Sequence, residues 1–128
     1  MKTLAILGFA AAACFAAAPV LADEAGELAI AQTHAGLAAK GATVDMVHMH
    51  LHHALNCLVG SAGAGYDSTN ANPCAKAGNG AIPDSTDAAQ KTKLAAAVSK
   101  AQAGIAATDL AAAQAAATDT AAAIGAAK

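Results

Sequence analysis

An all-α fold, an antiparallel four-helix bundle with one long disulfide-pinned loop, is what this chain of 128 residues predicts. Three observations carry it. Apolar residues recur at helical spacing in four segments, and nowhere with the sustained alternation of a strand. Capping residues open these segments, and glycines close the first two. The links inside the first pair and inside the last pair are a few residues long, which makes antiparallel neighbours.

The opening "MKTLAILGFAAAACFAAAPVLA" is set apart from the fold. A cationic Lys2, a short apolar run and a small-residue ending form an export signal, cleaved before Asp23. The run is too short to span a membrane. Residues 23–128 then form a single helical domain in the periplasm or outside the cell. It carries nine acidic residues against six Lys and no Arg. That balance excludes a nucleic-acid binder, which needs a basic face.

The first helix is expected from Asp23 to Lys40, with Asp23, Glu24 and Glu27 favoured by the helix dipole and Gly41 as its stop. Thr43 caps the second, which ends at Gly60. Residues 60–83, "GSAGAGYDSTNANPCAKAGNGAIP", are a loop too long for a compact domain unless something pins it. Asp84 or Ser85 is expected to cap the third helix, with Leu94, Val98, Ala101 and Ile105 as its apolar stripe. Thr108 is expected to cap the fourth, striped by Leu110, Ala113, Ala117, Thr120 and Ile124. Alanine supplies 43 of the 128 residues and large aliphatics are few, so the core is small and staples are expected. After processing, two cysteines remain, Cys57 and Cys74. In an oxidising compartment they pair and pin the loop. The competing reading makes Cys57 a metal thiolate, one turn after His53.

Function is concentrated in "VDMVHMHLHHALNCL", residues 44–58, which holds four of the five histidines. With His48 set at 0° on a wheel of about 100° per residue, Val44, Val47, Leu51, Leu55 and Leu58 spread over about 260–340°. His48 and His52 border that face, one turn apart, and two imidazoles so placed can share an ion. His50 borders the other side, and His53 is expected to face water. In the preceding helix, His34 falls inside the apolar stripe of Leu28, Ile30, Leu37 and neighbouring alanines. Folding the pair about Ala42 brings His34 level with residues 48–52. His34, His48 and His52, with His50 next, are thus the expected metal ligands. His53, Met46 and Met49 are additional candidates. Neutral imidazole suits Cu, Zn, Ni and Fe, and thioether sulfur tips the choice towards copper over zinc or nickel. Affinity is expected to fall below about pH 6.5 as the rings protonate.

Other chemistry finds little footing. A di-iron carboxylate bundle needs inward Glu and Glu-x-x-His motifs. No c-type haem attachment site, nucleophile elbow or phosphate loop is present, so no enzyme is expected. In its signal peptide, Ala-rich helices and helix-borne histidines, the chain resembles the small exported His-rich helical-bundle proteins that bind transition metals in the bacterial periplasm. That resemblance implies metal binding without catalysis. Two alternatives remain: non-covalent haem held by two histidines of facing helices, and a protein-interaction or stress bundle that binds no metal. Helices so thin in large apolar residues also leave homodimer formation open.

Overall fold

The computed structural model describes residues 22–128, and residues 1–21, which carry nearly all of the expected export signal, lie outside them. Within the described residues the chain is all-helical, with no strand. Five helices follow in order: α1 (Glu24–Ala38), α2 (Val44–Val59), α3 (Ala81–Asp84), α4 (Ala88–Ala106) and α5 (Leu110–Gly125). None is long and apolar enough to cross a membrane.

Each long helix begins where a short polar side chain can take an orphan N–H. Asp23 accepts from Gly26 and Thr43 from Met46. Asp87 accepts from Ala89 and Gln90, and Asp109 accepts from Ala112. Two boundaries differ from the sequence expectation. The cap before α4 is Asp87, not Asp84 or Ser85. Asp84 instead ends the extra turn α3 and takes both N–H groups of Asn79, and Ser85 Oγ is engaged with Gln90. Similarly, Asp109 rather than Thr108 caps α5.

α1 packs on α2 and α4 on α5, while α1–α5 and α2–α4 contacts join the two pairs. Leu51, Leu58, Leu94 and Ile124 are the largest fully buried apolar side chains, each contributing roughly 1.5–3 kcal/mol. Alanines fill the remaining seams. On α4 the buried line is Leu94, Ala97, Ala101 and Gly104, with Val98 and Ile105 at its edge. At Gly104 the helices approach closely, and a Cβ there would stand 2.5 Å from Leu51 Cδ1, so the Leu51 side chain would have to shift.

The loop after α2 is held at several points. Cys57 and Cys74 are disulfide-bonded, which removes Cys57 from any ligand set. Buried Asn56 donates to the carbonyls of Asp67, Asn70 and Ala71, and accepts from the Asp67 N–H. The two ends of the loop cross at Gly60 and Gly80, whose φ values are 69° and 116°. A Cβ on Gly60 would come within 1.5 Å of Asn79 O, so glycine is demanded by both backbone and space. The Gly80 N–H is then taken by Glu27 Oε1 of α1 at 2.7 Å.

Candidate metal site

Three histidines meet on the seam between α1 and α2. His34 of α1 faces His50 and His53 of α2, which are one turn apart. His34 Nδ1 lies 3.3 Å from His50 Nδ1. The ring centroids are 5.5 Å apart for His34–His50, 5.0 Å for His34–His53 and 5.8 Å for His50–His53. One nitrogen from each ring lies within 4.8 Å of the other two, close enough to hold a metal ion. All three side chains are half-buried.

Burial lowers the His34 and His53 imidazoles below their usual value, and the neighbouring rings push the same way: His53 and His50 on His34, His50 and His52 on His53. The neutral ring is the ligating form. Among the described residues, His53 Nδ1 is buried with no hydrogen-bond partner. A buried polar atom left alone is costly, so a ligand on this nitrogen would be stabilising.

The remaining sequence candidates lie elsewhere. His48 Nε2 donates to the Ala107 carbonyl at 2.9 Å, tying α2 to the α4–α5 link. His52 Nδ1 stands 3.3 Å from Asp67 Oδ2, but not aligned for a hydrogen bond. Asp67 itself is pulled down to about 2, first by the Thr69 hydroxyl, then by the Thr69 N–H and the Asn70 side chain. The structure therefore joins His34 with His50 and His53, and leaves His48 and His52 on the opposite flank of α2. Two side-chain placements are corrected. His53 is half-buried against His34 rather than turned to water, and Leu37 is 45% exposed rather than in the core. Consequently His34 sits at the border of the buried line of Leu28, Ala31, Ala35 and Ala38, not within it. Met46 and Met49 are 43% and 40% exposed, one turn before His50 and His53.

Both useful signals were present in the sequence. His34 and His50 are equidistant from Ala42, and His50 and His53 have i, i+3 spacing. What the sequence lacked was the side of α2 on which α1 would pack. No protein-family model matches the chain, and no curated protein or solved structure does so either. The functional reading therefore stands on the chemistry of these residues.

Proposed function

We propose that the protein binds a transition-metal ion through His34, His50 and His53, as an exported binding protein rather than an enzyme. The observation that carries this is the nitrogen cluster: His34 Nδ1 and His50 Nδ1 stand 3.3 Å apart, and one ring nitrogen from each of His34, His50 and His53 lies within 4.8 Å of the other two. A hydrogen bond between the first two rings would serve one pair and leave the third nitrogen alone. An ion between them would serve all three. The disulfide and the apolar, Lys-headed start of the chain support an oxidising compartment. The scaffold reads as an antiparallel four-helix bundle. Gln32 reaches Ala121 O while Gln114 reaches Gly41 O, so α1 and α5 run in opposite senses.

The spacing also bears on the ion. Two nitrogens bound at about 2.0–2.1 Å stand roughly 3.3–3.4 Å apart in a tetrahedral site. The 3.3 Å between His34 Nδ1 and His50 Nδ1 is within reach of a tetrahedral ion such as copper(I) or zinc, both of which suit imidazole. Copper(I) ranks first because two soft, flexible thioethers, Met46 and Met49, flank the site. Haem finds less support, since no macrocycle fits between two ligand nitrogens 3.3 Å apart.

Titration calorimetry of the metal-free protein tests the proposal, with zinc added directly and copper(I) delivered from a chromophoric chelator. One ion per chain is expected. Structural zinc sites contribute about 10–16 kcal/mol over four ligands, so losing one ligand should weaken binding roughly 100-fold. His34→Ala, His50→Ala and His53→Ala should each show that loss, while His48→Ala and His52→Ala should bind nearly as the parent. No saturable binding, or equal losses in all five variants, would sink the proposal.

A further inference from the structure

A second recess lies away from the histidines, between the end of α2, the glycine-rich start of the loop, α3 and α4. Its volume is about 480 Å³, within the range of small-molecule sites, ~300–1,000 Å³. The walls are almost wholly apolar: Val59 beneath, Ile82 and Pro83 from α3, Ala95 and Val98 from α4. Small residues of the loop, Ala62, Gly63 and Ala64, leave the space unfilled. Lys91 is the single charged residue of the lining. Its side chain is half-buried, and among the described residues it has no carboxylate partner and makes no hydrogen bond.

The order of these residues along α4 gives the recess a direction. Lys91, Ala95 and Val98 are spaced i, i+4, i+7 and share one face of the helix. At 1.5 Å per residue, the ammonium end and the apolar end are separated by about 10 Å. A ligand lying along α4 meets a cation first and then an unbroken apolar trough. From this we infer that the recess binds a single-chain amphiphile with a carboxylate head, the head on Lys91 and the hydrocarbon tail over Val59, Ile82 and Val98. The carboxylate would supply the partner that Lys91 lacks. The tail would cover Ile82 and Val98, which α3 and α4 leave only partly buried.

The test uses the disulfide-intact, metal-free protein and decanoate below its aggregation concentration. Calorimetry should give saturable binding of one decanoate per chain. Amide resonances of Val59, Ile82 and Val98 should shift, while those of His34, His50 and His53 stay in place. Lys91→Gln should weaken decanoate roughly fivefold, the upper range for an ion pair open to water. Decanol should bind the parent and Lys91→Gln alike, and more weakly than decanoate binds the parent. Ala95→Phe, at an exposed position, should fill the recess and abolish binding while helix content stays as in the parent. Non-saturable uptake, equal affinity for decanoate and decanol, shifts outside the recess, or a folded Ala95→Phe that still binds would each overturn the inference. Zinc titration of the same variants should be unchanged, so this result stands or falls separately from the metal site.

Discussion

Replacing Glu27 by Gln should stabilise the chain above neutral pH and leave it nearly unchanged in mild acid. Glu27 is fully buried on α1, where Oε1 accepts from Gly80 and, among the described residues, Oε2 has no hydrogen-bond partner. Burial raises its carboxyl from 4.5 to about 7, and the neighbouring Asp84 and Asp23 act in the same direction against the Gly80 hydrogen bond. A raised folded-state value means that the folded chain binds the proton more tightly than the unfolded one. Stability is then full below about 4.5 and declines as pH rises through about 7. The rise from 4.5 to about 7, at ~1.36 kcal/mol for each tenfold change in proton affinity, sets a ceiling of about 3 kcal/mol. Gln keeps an acceptor for Gly80 and adds an N–H donor that can face Asp84, with no charge to bury. We expect Glu27→Gln to gain about 1–3 kcal/mol at ~pH 8 and close to nothing at ~pH 4.5. Urea unfolding followed by far-UV circular dichroism over that range measures it. His34 and His53 contribute an opposite slope below 6.5, because their lowered values favour folding as pH rises. That slope is common to both proteins and cancels in the difference. Parallel curves for parent and variant would mean that water reaches the carboxylate, and would refute the argument.

Four further outcomes are expected. Reducing Cys57–Cys74, which closes a span of 17 residues, should cost about 3 kcal/mol and lower Tm by roughly 10–20 °C in calorimetry, and a shift of only a few degrees would argue that the loop is held without it. Asn56→Ala should cost about 2–3 kcal/mol, because it strands three loop carbonyls and the Asp67 N–H, with faster hydrogen exchange at Asp67 as the local readout. Zinc binding near ~pH 6 should release fewer protons than three freely exposed imidazoles would, since burial favours the neutral rings of His34 and His53, whereas a full release would place both rings in water. Met46→Ile with Met49→Ile should weaken copper(I) and spare zinc, and equal effects on both ions would remove the thioethers from the site.

The all-α character was legible because local signals agreed. Thr43 and Gly60 bracket α2 at both ends as the sequence expects. α3 was not legible, since four residues around Pro83 are too few to show a helical period. The site shows a different kind of limit. A helical wheel places His48 and His52 on one flank of the apolar face of α2, His50 on the other, and His53 nearly opposite that face. A wheel has no neighbours, and the level of His34 is the same for both flanks. Which pair meets it is decided by the hand of the α1–α2 hairpin, set by how α4 and α5 pack on both helices together. Once α4 and the α4–α5 link take the His48 side, the Ala107 carbonyl satisfies His48, and Asp67 from the pinned loop comes beside His52. The other flank is left to α1. Among the described residues no carbonyl or carboxylate is bonded to its rings, which leaves His34, His50 and His53 as the set available to an ion.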